Sequence, residues 1–245
     1  PSKDKRFLYR SHPEVARVFD SRCVIGLANN HIMDFGQQGL EETLQVLGDK
    51  GCVYAGAGKD LAEAQRPAVL EIKGSRVGVL CAADPRFDPA GRNRAGTFPA
   101  QARLLNNEVA RLRREVDLVL VSLHMGLEYT GYPTPGMRHL AKACVTAGAN
   151  LVQFHHAHKV SGVSRLGSGI VVWGSGNYWL RSGNSGGRGF FSGGIWRGTW
   201  DSREGSFVRT TLEPVLKDEH GMPHTGKGGK QHLVQAQINK WSGRI

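Results

Sequence analysis

Several familiar signatures are missing from this chain, and each absence removes a class of function. No stretch approaches the roughly 18 consecutive apolar residues that carry a helix across a bilayer. The opening segment, Pro1 to Arg10, is charged and lacks the apolar run of a secretory signal. None of the cysteines, Cys23, Cys52, Cys81 and Cys144, forms a Cys-x-x-Cys pair. This argues against a zinc knuckle and a disulfide framework. Three of them fall in apolar strand-like runs and Cys144 in a helical pattern, so all four are expected to be free, buried thiols. Ser122 has no Gly-x-Ser-x-Gly elbow around it and is expected to be a core strand serine. Gly56-Ala57-Gly58 and Gly174-Ser175-Gly176 stop short of a dinucleotide fingerprint and read as tight turns. There is no aromatic-interleaved basic motif, no helix-turn-helix pattern and no internal repeat, so nucleic acid is not an expected partner.

What is present is the composition of a folding chain: 40% hydrophobic and 22% charged residues in 245. The balance is basic, with 32 Lys and Arg against 21 Asp and Glu, a formal charge of +11. A field of that sign concentrates polyanions such as phosphate esters, polyglutamate or anionic envelope polymers. Many of the cations, among them Arg103, Arg111, Arg113, Arg114, Lys217, Lys227 and Lys230, lie on helical faces or in the tail and are expected to be solvated.

Periodicity divides the chain into alternating elements. A first helix is expected at Pro13 to Phe19 and a strand at Cys23 to Ala28. A helix follows over Gln38 to Leu47, with Leu40, Leu44 and Leu47 on one face. A strand at Cys52 to Ala55 and a small helix at Leu61 to Gln65 come next. Ala68 to Lys73 and Arg76 to Ala82 form a hairpin about Gly74-Ser75. A long helix over Ala100 to Glu115 leads to an apolar strand from Asp117 to Leu123. Thr134 caps and Pro135 opens a helix that Gly148 stops, and a strand runs from Leu151 to Phe154. Thereafter only strands are expected: Val160 to Leu166, Ile170 to Trp173, Gly194 to Trp200 and Ser206 to Val215. A glycine-rich loop is expected at Arg181 to Gly194. The pattern predicts an α/β domain over residues 1–216, followed by a poorly ordered, polar basic tail over 217–245 in which His220, His224 and His232 are solvated.

Three of the apolar strands end alike. Leu27-Ala28 runs into Asn29-Asn30-His31, Val121-Ser122-Leu123 into His124, and Val152-Gln153-Phe154 into His155-His156-Ala157-His158. In open α/β sheets the loops after strand carboxyl ends build the ligand crevice. Neutral imidazole is a good ligand for divalent transition metals, and amide or carboxylate oxygen complements it. One histidine at a strand end is ordinary. Five at the ends of three strands predict a metal or catalytic site.

The ordered set Leu27 to Asp34 (Leu-Ala-Asn-Asn-His-x-x-Asp), Ser122 to Tyr129 (Ser-x-His-x-Gly-x-Glu-Tyr) and His155 to His158 (His-His-x-His) resembles the CapA/PgsA family of capsule and poly-γ-glutamate biosynthesis proteins. Tyr54 to Gly58, Ala64 to Ala68, Pro133 to Pro135, Ala147 to Ala149 and Gly174 to Asn177 match as well, and the resemblance spans Phe7 to Trp179. It implies the calcineurin-like metallophosphatase superfamily and its four-layer α/β/β/α sandwich. By that resemblance Asn30, His124, His156 and His158 are metal ligands, with Asn30 able to bridge two ions. His31 is a catalytic acid oriented by Asp34. Glu128 takes a proton-transfer or substrate role. His155, Tyr129 and Asn177 contact substrate, and Trp179 lines the pocket. The cofactor implied is a pair of divalent ions drawn from Mn, Fe, Zn, Mg or Ca.

The family opens with a Gly-Asp motif whose Asp is also a ligand. No such motif precedes Arg10, so the first strand is expected to be missing and one metal position depleted or completed from outside this sequence. Met125 also stands where the family has Trp, and Phe154 where the superfamily has Gly. The resemblance implies a bacterial envelope setting, a membrane-associated synthesis complex, and an anionic polymer, peptide or phosphorylated substrate. Hydrolysis of an amide, γ-glutamyl or phosphoester bond is the leading expectation. The alternatives are a non-catalytic polymer-binding or export component, and a metal-dependent peptide epimerase on the same scaffold.

Overall fold

The computed structural model describes Lys5 and residues 7–178, 192–218, 222–225 and 231–242. Trp179, His220, Lys227, Lys230, the side chain of His232 and most of the glycine-rich loop lie outside these residues. The chain divides into two compact units, one comprising Pro1–His124 with Ala147–Ala149 and the other Met125–Thr146 with Asn150–Ile245. The secondary structure is mixed α/β, as the alternating periodicity implies.

In the first unit Pro13–Val18 is a single 3-10 segment rather than an α-helix. Proline at its first position suits the start of a helix, and short helical segments commonly take the tighter 3-10 form. Strand β1 (Val24–Gly26) pairs in parallel with β2 (Val53–Ala55). Between them helix α1 (Gly36–Asp49) buries Leu40, Leu44 and Leu47, the three residues spaced to share one face. A short strand β3 (Ala57–Gly58) and helix α2 (Leu61–Ala64) follow, the helix capped by the Asp60 carboxylate accepting from the Glu63 amide at 2.8 Å.

Strands β4 (Ala68–Ile72) and β5 (Ser75–Ala83) form the expected hairpin with a shifted turn. Ile72 pairs with Ser75, so the loop is Lys73-Gly74, both at positive φ (51° and 79°). A two-residue loop of that kind matches the right-handed twist of the strands it joins. Strand β6 (Gly96–Thr97) pairs with β3. Helix α3 (Ala102–Leu112) buries Leu105, Val109 and Leu112. Strand β7 (Leu118–His124) lies parallel to β5, in a register that sets His124 opposite Ala83. Gly56 marks a close approach beneath these strand ends. Its φ is +100°, and a Cβ there would meet Cys81 Cβ at 2.6 Å and Ala28 Cβ at 2.8 Å.

The second unit opens on helix α4 (Pro135–Ala147), where Thr134 Oγ1 accepts from the Met137 amide at 3.3 Å. Strand β8 (Leu151–His155) is parallel to β10 (Gly169–Val172), which also pairs antiparallel with β9 (Val163–Leu166). A long hairpin of β11 (Ser192–Asp201) and β12 (Ser206–Lys217) carries a bulge at Thr199/Trp200, and β13 (Pro223–His224) extends it.

The expectation of a poorly ordered tail does not hold throughout. Helix α5 (Gln231–Ser242) buries Val234 and Ile238 in a cluster with Val160, Leu212 and Leu216. Ser242 Oγ accepts the Val163 amide at 2.9 Å. Val234, Ile238 and Trp241 fall at i, i+4 and i+7, a helical period interleaved here with polar residues. Cys52, Cys81 and Cys144 are buried and Cys23 is half-buried, and all four are free. Burial pushes the Cys81 and Cys144 thiols up to about 12, which keeps them inert.

Candidate metal centre

The first unit gathers two of the histidine-bearing strand ends. After β1 the chain turns sharply: Asn29 Oδ1 accepts the His31 amide at 2.8 Å, and the Asp34 amide returns to the His31 carbonyl at 3.1 Å. The turn drops Asp34 into the interior, where it is fully buried. Its Oδ2 accepts from His31 Nδ1 and from the Tyr9 amide, each at 2.8 Å, and its Oδ1 from Lys5 Nζ at 2.9 Å. Burial alone would raise its pKa, but the bonds from Lys5, Tyr9 and His31 outweigh it and hold the carboxyl below its ordinary 3.8. His31 is thereby fixed with its Nδ1 toward Asp34 and its opposite edge outward, the side chain 31% exposed. The Tyr9 ring stands edge-on to it at 4.4 Å. Asn30 Oδ1 lies 3.0 Å from Nε2 of His124, a residue 94 positions away in sequence.

The second unit carries the remaining set. His155 ends β8 and is half-buried; desolvation by the surrounding protein holds its imidazole down at about 4, so it is neutral at pH 7. His156 and His158 follow with φ of +87° and +55°. Their ring centroids are 6.3 Å apart and tilted by 48°. His158 Nδ1 lies 2.8 Å from Asn177 Oδ1, and the Tyr129 ring stacks on His158 at 5.8 Å and 23°. Tyr129 is held by its amide donating to the Ala157 carbonyl at 2.7 Å. Glu128, beside it, is exposed. Five described non-glycine residues have positive φ, and Tyr129, His156 and His158 are three of them. Strain of about 1–3 kcal/mol per residue persists only where the surroundings enforce it, and such residues gather at functional sites.

The sequence profile described as "Bacterial capsule synthesis protein PGA_cap" matches residues 1–181. The chain belongs to this family. The PGA_cap chain is 27% identical over 192 residues to the PGA biosynthesis protein CapA of Bacillus subtilis (strain 168), covering 74% of this chain and 50% of that protein. It is 29% identical over 173 residues to the capsule biosynthesis protein CapA of Bacillus anthracis, covering 66% and 42% respectively. It is 32% identical over 189 residues to the probable polyglutamine synthesis accessory protein Rv0574c of Mycobacterium tuberculosis (strain ATCC 25618 / H37Rv), covering 71% and 50%. The chain thus spans about half the length of the curated relatives it matches. The family is one of capsule and poly-γ-glutamate biosynthesis.

The resemblance carried by the strand-end motifs implies metal ions, and the donor atoms present bear on that expectation. Two ligand atoms at right angles about a cation, each bonded at about 2.1 Å, stand about 3.0 Å apart. Asn30 Oδ1 and His124 Nε2 have that separation, which in the metal-free chain is a hydrogen bond donated by the ring that a bound ion would replace. On His158, the Asn177 oxygen at Nδ1 assigns the proton to that nitrogen and the lone pair to Nε2, the arrangement usual for a ligating histidine. Amide oxygen from Asn30 and imidazole nitrogen from His124 and His158 are donor types that suit a divalent ion. Among the described residues, however, no three His, Cys, Asp or Glu side chains gather closely enough to hold one by themselves.

Three neighbours of these residues fall outside the sequence motifs. Lys5 bonds the Asn30 carbonyl at 2.6 Å as well as Asp34, and Tyr9 braces His31; neither lies in a motif. Asp84 follows β5 as His124 ends β7. Its amide donates to the His124 carbonyl at 3.0 Å, and its carboxylate is forked by Arg86 Nε and Nη2 at 2.9 and 2.8 Å. The apolar run Val77 to Ala83 ending in Asp84-Pro85 carries the same strand-end signal as the histidines and was open to the same argument.

Proposed function

We propose that this chain is a metal-binding, hydrolase-like domain acting on an amide, γ-glutamyl or phosphoester bond of an anionic polymer or its precursors. The observation that carries the reading is the pairing of Asn30 Oδ1 with His124 Nε2 at 3.0 Å, one residue from the His31–Asp34 couple. Asn30, His124, His156 and His158 would hold the divalent ions, Mn, Fe, Zn, Mg or Ca. When bound, such an ion supplies Lewis-acid polarisation of a carbonyl or phosphoryl oxygen.

The remaining work falls to this chain's own side chains. Asp34 accepts from His31 Nδ1 and keeps the opposite nitrogen outward. In its protonated form that nitrogen can donate to a departing amine or alkoxide. The Asp34 carboxylate orients the ring, and Lys5 shares the same carboxylate through its other oxygen. Tyr9 restricts the His31 ring from its edge. Glu128 and Tyr129 would meet substrate from the turn before α4, and His155 and Asn177 from the second unit's strand ends. The surplus of 11 positive charges would draw in a polyanion. Partners in an envelope synthesis complex belong to the same proposal.

The test pairs elemental analysis of the purified chain with hydrolysis of γ-glutamyl and phosphoester substrates. Wild type should retain a divalent ion and turn over one substrate class. H124A and H158A should each lose metal, and H31A should keep metal while losing at least a hundredfold in rate. Full activity in H124A and H158A would sink the reading. A second reading, a non-catalytic polymer-binding component, draws support from the lack of three closely grouped ionisable ligands among the described residues. It predicts polymer binding by wild type and H31A alike, with no bond cleaved by either.

A further inference from the structure

The proposed metal reading leaves open how a histidine on a strained loop is held in one orientation. We propose that Asn177 is the positioning residue for His158, presenting its Nε2 as the ligand nitrogen, and that the Asn177 amide nitrogen is reserved for an oxyanion bound beside it. This rests on His158 being a metal ligand, but the two can fail separately.

Asn177 is only 8% exposed. Its Oδ1 sits 2.8 Å from His158 Nδ1. An amide oxygen only accepts, so the ring must donate from Nδ1, and its lone pair lies on Nε2. The neighbouring Gly176 takes φ of +64°, and a Cβ on Gly193 would come within 2.6 Å of the Asn177 carbonyl oxygen. Backbone therefore crowds Asn177 closely enough to fix where its side chain starts. Tyr129 covers one face of the His158 ring, leaving the imidazole little freedom to rotate.

The other end of the same amide is unspent. Asn177 Nδ2 is buried and has no hydrogen-bond partner among the described residues. A buried donor left unmet costs about 1–3 kcal/mol, and a ligand that supplies an acceptor recovers it. The fitting acceptor is an anionic oxygen, phosphoryl or carboxylate.

Nitrogen-15 NMR of the metal-free chain reads the tautomer directly. Wild-type His158 should carry its proton on Nδ1 alone. N177A should give a mixture and bind Co2+ about tenfold more weakly or worse. N177D should restore both, because a carboxylate oxygen accepts from Nδ1 as the amide does. In the Co2+-loaded protein N177D should still bind inorganic phosphate or γ-glutamylglutamate at least tenfold more weakly than wild type, having lost the donor. Whichever of the two anions suffers more names the source. The wild-type spectrum needs no variant, so misfolding of N177A leaves the test intact. A proton on Nε2 of wild-type His158, or an N177A protein with unchanged tautomer and Co2+ affinity, overturns the positioning role. Equal anion binding by N177D and wild type overturns the donor role. Wild type that takes up no Co2+ yet shows the Nδ1 proton overturns the metal reading and upholds Asn177 as a positioning residue.

Discussion

Asp34 shows what one buried carboxylate can be made to do. It is inaccessible to solvent, and it is satisfied by an ammonium, a backbone amide and an imidazole. Because those partners hold its pKa below 3.8, the folded protein binds its proton more weakly than the unfolded chain does. Its contribution to stability is fully present above the ordinary carboxylate value and is lost as pH falls through the lowered one. Urea titrations should show wild type losing stability over that acid window. D34N, which removes the charge, should be less stable near neutral pH by about 1–3 kcal/mol and show a flatter acid limb. A D34N protein with an unchanged acid limb would show that other carboxylates set it.

At the scale of elements, a turn and a helix offer sharper tests than the core. Lys73 is a non-glycine residue at φ +51° in a two-residue hairpin loop, before Gly74. Left-handed backbone costs roughly 1–2 kcal/mol for most residues and less for asparagine. K73N creates the Asn-Gly pair that such loops favour, and should raise stability by about 0.5–1 kcal/mol in denaturant melts. Helix α5 depends on few apolar anchors. I238A removes one that is 4% exposed and should cost about 2–4 kcal/mol. Neutral behaviour of I238A would mean that the helix does not pack in solution as described. Both features were hard to see in the sequence for physical reasons. The hairpin was visible, but its turn slipped by one residue because Gly74-Ser75 and Lys73-Gly74 are equally good local candidates and only strand register separates them. The tail reads as polar because the helical period of Val234, Ile238 and Trp241 is diluted by the polar residues on either side of it.

For the molecule as a whole, charge and family membership point the same way. The surplus of 11 positive charges sits in a chain of the bacterial capsule synthesis PGA_cap family. If the charge serves polymer capture, affinity for soluble poly-γ-glutamate should fall roughly tenfold or more between about 0.05 and about 0.5 M salt, because screening shortens the reach of the field. Affinity insensitive to salt would assign capture to specific contacts instead.

Local sequence by itself determined which residues stand at the strand ends. Apolar runs stop at Asn30-His31, His124 and His155 because strands and their polar ends are encoded by neighbours, and the motifs around them were enough to indicate the family. Only the tertiary structure decided who meets whom. The pairing of Asn30 with His124 across 94 positions, of His158 with Asn177 across 19, and of Lys5 with Asp34 across 29 joins residues from separate stretches of chain. Those contacts depend on where separate strands and loops are set in space, and no pattern confined to one stretch of chain encodes that.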